Sequence, residues 1–371
     1  MQLSLRRLIG AVLILAALTA ASGVSARPSA RERAAVASRY LVSRQHPDGS
    51  FPGFSPVGST ADAVIALVAA RRAPGAVDEA LEFLATTVDG ATLGQKAKVV
   101  LAVVAAGGDP RAFGGHDLVA EIEAARQPDG SYGEEGDFTA VTTHALAALA
   151  LAAAGQPIDD PAVDWLVAAQ CPDGGWQYDE PHQEGEDEHC YDATPAPDGS
   201  PSDFTTSDTN TTSYAVQAIA THHHPVDLPA DPFGYFSSAR DRVKNGYRYS
   251  HDAHLFGTRA YTDANSTALV LQSFAAMDRT PPRGAKSALA ALQYPRLCGK
   301  VGGAFAYTWE KRDGRLERTP SRRAARAEAT ATPEGSTVAG ATIGAIPGLL
   351  LRPLPVEPVA ALDPVPRRRA C

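Results

Sequence analysis

Three shortages in this sequence each remove a class of protein. Cysteine occurs at four positions only, Cys171, Cys190, Cys298 and Cys371. None shares a Cys-x-x-Cys spacing, so a thiolate zinc site has no support. Beyond residue 26, no apolar run reaches the ~20 residues that a membrane-spanning helix needs. Positive charge is in deficit: 34 Lys and Arg stand against 42 Asp and Glu, a formal net charge of −8. Nucleic-acid binding is dominated by phosphate neutralisation, so no nucleic-acid partner is expected.

The N-terminus supplies what the rest lacks. Arg6-Arg7, an apolar run from Leu8 to Ala21 and the small-x-small end Val24-Ser25-Ala26 read as a secretory signal peptide over residues 1–26. The expected mature protein is secreted or extracytoplasmic, carries a still more negative charge and has no stable membrane insertion. Four cysteines in an exported chain suggest disulfides, with three possible connectivities. We favour Cys171 with Cys190, which would staple one loop, and Cys298 with Cys371, which would tie down the C-terminus.

One short loop recurs: Gln45-His46-Pro47-Asp48-Gly49-Ser50-Phe51, Gln127-Pro128-Asp129-Gly130-Ser131-Tyr132 and Gln170-Cys171-Pro172-Asp173-Gly174-Gly175-Trp176. Pro fixes φ, Asp-Gly supplies a turn with positive φ at Gly, and the aromatic can pack back on the helices. Degenerate copies stand at Lys244-Asn245-Gly246-Tyr247 and Gly302-Gly303-Ala304-Phe305. Around these loops the helical periodicity resolves into six pairs. They run 30–44 with 59–72, 77–88 with 92–106, 116–126 with 138–154, 161–170 with 208–222, 232–244 with 263–277, and 283–293 with 334–350. The second helix of each pair is apolar almost all round, as in Ala145-Leu146-Ala147-Ala148-Leu149-Ala150-Leu151, and so should be buried on all sides. The first keeps a polar face, as in Asp78-Glu79-Ala80-Leu81-Glu82. Six buried helices ringed by six amphipathic ones describe an all-α, six-fold α/α toroid over residues 27–350, followed by a Pro/Arg-rich tail over 351–371. An open solenoid would need polar-faced capping repeats, and none is visible.

Six helix pairs joined by Gln-x-Pro-Asp-Gly-[Ser/Gly]-aromatic loops resemble the prenyltransferase and squalene-cyclase repeat superfamily, across nearly the whole mature chain. The resemblance implies the toroid and a site at one mouth, but its catalytic motifs do not carry over. The cyclases' Asp-x-Asp-Asp motif has only its first acid here, in Asp208-Thr209-Asn210-Thr211. Their cavity aromatics, which stabilise carbocations, are matched on the inner helices only by Phe138, Tyr214 and Phe274. The prenyltransferases' zinc-ligand pattern and the complement-type thioester sequence are absent. Vitamin B12 carriers add a β domain after the toroid, and the tail after Leu350 is too short for one, which disfavours cobalamin. No cofactor is expected.

In such a toroid the inner-helix N-termini share one mouth, where free N–H groups favour anions or polar ligands. Ser59, Thr60, Asp62, Thr92, Asp208 and Asp263 stand there, and N-capping explains residues of these types. Two starts are richer than a cap requires: Asp208-Thr209-Asn210-Thr211-Thr212 and Asp263-Ala264-Asn265-Ser266-Thr267. Asp208, Thr209, Asn210, Asp263, Asn265 and Tyr214 are therefore the candidate ligand-binding residues. Asp208 and Asp263 are the candidate catalytic pair, since sugar hydrolysis would need two carboxyls roughly 5 to 9.5 Å apart. The acidic excursion with Asp179, His182, Glu186 and His189 is the candidate site for a divalent cation. The basic one, Lys311 to Arg326, reads as a solvated loop. The expected role is binding of a small apolar or amphipathic ligand at the mouth. An isoprenoid- or polysaccharide-acting enzyme and an extracellular scaffold are the alternatives, and turnover is left open.

Overall fold

Alanine and leucine fill the interior helices because only small or flexible side chains let helices be enclosed by neighbours on every side. The computed structural model describes residues 27–133, 140–178, 190, 206–250, 261–295, 301–328 and 337–366. The signal-peptide reading of residues 1–26 lies outside these.

An outer set consists of α1 (Ala30–Val42), α3 (Pro74–Thr87), α5 (Leu118–Ala124), α7 (Asp160–Ala168), α9 (Pro232–Ser238) and α11 (Ala285–Leu292). An inner set consists of α2 (Pro56–Ala70), α4 (Leu93–Ala105), α6 (Val141–Ala153), α8 (Thr209–Ile219), α10 (Ala264–Ala276) and α13 (Thr337–Leu350). Each inner helix packs on the next, α2 on α4, α4 on α6, and so on to α10 on α13, and α13 returns to α2. Every outer helix also packs on at least one inner helix. The chain is thus mostly helical, of the α/α-toroid kind.

The recurrent loop acts as a rivet between neighbours. Gln45 Nε2 donates to Gly49 O within its loop and to Ala76 O of α3, and Gln170 Nε2 donates to Gly174 O and to Ala230 O before α9. Gln293 repeats the device at the closing seam. Its Nε2 donates to Gly303 O and to Arg33 O of α1, while its Oε1 accepts from Arg33 Nη1. The aromatic's own N–H is then received by the inner helix. Phe51, Trp176, Tyr247 and Phe305 donate to the hydroxyls of Thr60, Thr212, Thr267 and Thr342, and Tyr132 donates to His144 Nδ1. All five acceptors are fully buried, so each satisfies an N–H that would otherwise be enclosed without a partner.

Gln293→Ala should therefore lower stability by roughly 2 kcal/mol, since three hydrogen bonds are lost at about 0.5–1.5 kcal/mol each with partial replacement by water. Gln127→Ala should cost less, because among the described residues the Gln127 side chain bonds only within its own loop, to Ala125 O and Gly133 O. Urea denaturation of the two variants checks the order.

Several boundaries differ from the periodicity. Helix α2 begins at Pro56 with Ser55 as N-cap, accepting from Gly58 N, so Ser59, Thr60 and Asp62 lie inside the helix and do not cap it. Helix α9 stops at Ser238 because Asp241 builds a turn there, its carboxylate accepting from Val243 N, Thr262 N and Thr262 Oγ1. The basic excursion is not merely a solvated loop. Strands β3 (Thr308–Arg312) and β4 (Arg315–Thr319) pair antiparallel, Thr308 opposite Thr319 and Arg312 opposite Arg315. Asp313 and Gly314 both take positive φ, as a two-residue hairpin turn requires. A short helix, α12 (Arg322–Glu328), follows. A two-residue ladder, β1 (Trp176–Gln177) with β2 (Ser207–Asp208), precedes α8.

Cys171 and Cys190 form a disulfide with a Cα–Cα distance of 5.3 Å. Cys298 and Cys371 lie outside the described residues. The tail does not trail away: residues 351–366 cross the C-terminal ends of the inner helices. Leu354 N–H donates to Gln217 Oε1, Gln272 Nε2 donates to Arg352 O, and Asp363 exchanges backbone hydrogen bonds with Arg71 and Ala73. Among the described residues, no helix is long and apolar enough to cross a membrane.

Candidate functional site: the central cavity

The inner helices do not meet along their common axis, and a cavity of about 750 Å³ is left between them. That lies within the 300–1,000 Å³ usual for small-molecule sites. Its apolar wall consists of Ile65, Leu101, Leu146, Leu269, Ile343 and Pro347, with Leu354 of the tail at the helix C-terminal end, where Gln272 also lines it. Asp62 and Lys98 lie about midway along α2 and α4, level with Leu146 and Leu269, and Asn210 and Asn265 stand in the first turns of α8 and α10 at the N-terminal end. Aromatic groups from the connecting segments stand over that end: Phe54, Tyr249, Tyr307 and Trp309.

Lys98 of α4 and Asp62 of α2 form the charged centre, with Nζ 2.7 Å from Oδ2 and side chains 24% and 34% exposed. Burial opposes the ammonium charge, yet the carboxylate beside it holds Lys98 above the usual lysine range. Lys98 therefore presents a cation to the cavity, hydrogen-bonded to the Asp62 carboxyl. Tyr214 of α8 lies near enough to feel both charges. Burial pushes its phenol up and Lys98 pulls against that shift. Asn210 Oδ1 accepts from Ser266 Oγ at 2.9 Å, tying α8 to α10. Among the described residues, Asn265 Oδ1 is buried without a hydrogen-bond partner, pressed where a Cβ on Gly344 would come within 2.5 Å. An enclosed acceptor without a donor is costly, so this one suits a ligand hydroxyl or N–H. Glu310 of β3 is the second carboxylate in the wall, and its Oε2 accepts from Thr319 Oγ1.

Of the six residues picked from the sequence, Asn210, Tyr214 and Asn265 line the cavity. Asp208, Thr209 and Asp263 stand behind them, buried at 1%, 0% and 4% exposure. Asp263 Oδ1 caps α10 through Ser266 N. Asp208 Oδ1 accepts from Asn210 N and Thr211 N, while its Oδ2 has no partner among the described residues. Burial pushes this carboxyl up to about 6, against the hydrogen bonds from Thr211 and Asn210. The candidate cation ligands Asp179, His182, Glu186 and His189 lie outside the described residues. Among the described residues, no group of three potential ligands gathers for a metal ion.

Sequence reasoning missed Lys98, Glu310 and the four covering aromatics. The aromatics sit off the inner helices, where a count of inner-helix rings does not find them. Asp313-Gly314 between alternating residues was the available signal for the hairpin that carries Trp309 and Glu310. Lys244 Nζ lies 4.0 Å and the Arg318 guanidinium 5.0 Å from the Trp309 ring centroid, so cation–π contacts hold the indole in place.

No family model matches the chain, and none of the curated proteins matches it. Solved structures do. A single-residue variant of the type II terpene cyclase MstE from Scytonema, in complex with its substrate geranylgeranyl dihydroxybenzoate, has a TM-score of 0.52 and 15% identity, covering 86% of this chain and 95% of that one. The same cyclase in its apo form gives 0.51 and 15%, covering 86% and 96%. An inactive variant of an alpha-1,6-mannanase of a Salegentibacter species, in complex with alpha-1,6-mannotetrose, gives 0.51 and 11%, covering 87% and 100%. At these identities the likeness is one of fold alone, the α/α toroid.

Proposed function

We propose that this protein is an exported six-fold α/α toroid that holds one small amphipathic molecule in its central cavity. The observation that carries the reading is the mixed wall, in which the Asp62–Lys98 pair and two asparagines share one cavity with Ile65, Leu146, Leu269 and Ile343. A ligand with an apolar body and a hydroxylated or anionic head satisfies both kinds of lining at once. The head meets Lys98 and the free Oδ1 of Asn265, with Asn210 and Tyr214 beside it. Asp208, Thr209 and Asp263 act indirectly, holding the two asparagine-bearing first turns in place. The six-fold count is supported by six inner helices packed in sequence with α13 against α2. Export is supported by the leader-like N-terminus and by the disulfide, a bond that persists in oxidising compartments.

Two fold neighbours hold ligands of opposite character, a geranylgeranyl-substituted dihydroxybenzoate and a mannooligosaccharide. The apolar lining of the present cavity favours the first kind. An oligosaccharide offers hydroxyls along its whole length and would leave many unpaired against Ile65, Leu146, Leu269 and Ile343.

Calorimetry with a polyprenyl-substituted hydroxybenzoate and with a mannotetraose decides the reading. Binding of the prenylated compound alone is expected. Binding of the sugar alone would sink the proposal, and mass analysis of the same mixtures would reveal any turnover. Leu269→Trp, which fills the cavity from α10, should weaken binding by at least tenfold. Its unfolding midpoint should stay near that of the parent, because Leu269 faces empty space.

A further inference from the structure

The floor of the cavity does not come from the ring. The residue closing the helix C-terminal end is Leu354, four residues past the end of α13. Its side chain is 9% exposed, and its backbone is fixed at two points. Its own N–H donates to Oε1 of Gln217, a fully buried glutamine near the end of α8, and Gln272 of α10 donates to the carbonyl of Arg352. The far side of the strap is pinned to the α2–α3 corner by Asp363, which is bonded to Arg71 and Ala73 through the backbone and to Arg72 through an ion pair of 3.0 Å. A side chain held this way on an external segment acts as a stop for whatever enters from the mouth.

We propose that Leu354 is the specificity-determining residue that sets how long an apolar chain the cavity accepts. The inference rests on the amphipathic-ligand reading above. Asn210 and Asn265 mark the polar level, and Gln217 and Gln272 stand seven residues further along the same two helices. At 1.5 Å per residue that separates the polar level from the Leu354 anchor by about 10 Å. A head bound at Asn265 can therefore extend its chain only until it meets Leu354. Each methylene added before contact gains burial worth about a fourfold increase in affinity, and each one after contact must bend back or displace the strap.

The test is a homologous series of 4-hydroxybenzoate n-alkyl esters, titrated by calorimetry against the parent, Leu354→Ala and Leu354→Phe. For the parent, affinity should rise about fourfold per methylene and then break at a fixed length. Leu354→Ala should move the break to longer chains and Leu354→Phe to shorter ones, with the slope below the break unchanged in both. A variant that merely loosens the fold would weaken every ester alike, so opposite displacements cannot come from instability. A break at the same length in all three proteins would overturn the role of Leu354 while leaving the ligand class standing. Absence of binding by every ester to the parent would overturn both.

Discussion

Gly49→Ala should destabilise the protein by roughly 3 kcal/mol or more, whereas Gly107→Ala should cost about 1 kcal/mol. Both glycines have positive φ, 89° and 84°, so both substitutions carry the penalty of a left-handed backbone for a residue with a Cβ. They differ in what that Cβ would meet. At Gly49 it would fall 2.2 Å from Glu79 O and 2.8 Å from its carbonyl carbon, on the neighbouring helix α3, whereas none of the described residues lies within 4 Å at Gly107. The excess at Gly49 is therefore the cost of forcing two repeats apart. The same contact recurs at Gly130 against Pro161 O, at Gly174 against Asp231 O and, at the closing seam, at Gly303 against Val36. Equilibrium urea denaturation measures both variants. Equal losses would mean that turn conformation alone, and not the approach of the next repeat, keeps glycine in the loop.

A second large effect is hidden in the parent by cancellation. His144 is fully buried, with Nδ1 accepting from Tyr132 N and Nε2 on Ala162 O, between the Tyr132 and Trp165 rings. Burial pushes its pKa down from 6.5 to about 4. The unfolded chain thus takes up a proton first, and the stability His144 contributes above pH 6.5 is lost as pH falls to 4, about 3 kcal/mol in all. Asp208 does the reverse. Its folded pKa is raised from 3.8 to about 6 by burial, so its contribution is fully present below 3.8 and is lost as pH rises to 6, again about 3 kcal/mol.

Removing either group uncovers the other. His144→Thr keeps an acceptor of the kind that Thr60, Thr212, Thr267 and Thr342 supply elsewhere. Relative to the parent it should gain about 3 kcal/mol between pH 6.5 and 4. Asp208→Asn keeps the cap oxygen and should lose about as much, relative to the parent, between pH 6 and 4. Denaturation at half-unit pH steps gives both differences. Variant curves that run parallel to the parent would show that neither group titrates differently on folding.

The repeat was readable because its parts are local. Gln, Pro, Asp-Gly and an aromatic lie within seven residues, and the apolar circumference of the second helices is a property of single segments. Thr60, Thr212, Thr267 and Thr342 were not assigned as acceptors for the aromatic N–H groups, since they lie nine to thirty-seven residues from their donors. Asp62 looked like a cap because helix starts are uncertain by a turn in sequence. Once Pro56 and Ser55 begin the helix, it turns inward and finds Lys98, thirty-six residues on. The Asp-x-Asn repeats did point to the N-terminal end of the cavity, through Asn210 and Asn265. The acids in those repeats stand behind the wall, Asp208 at 1% and Asp263 at 4% exposure. One oxygen of each caps its helix through a backbone N–H.

The strap across the inner-helix ends also orders events in time. Proteins are made and fold from the N-terminus onward, and here the last inner helix ends at Leu350, while the segment across the helix ends comes only with Arg352 to Asp363. A nascent chain complete through α13 has all six inner helices and still lacks Leu354, the cavity's lining residue from the tail. The cavity is therefore finished last.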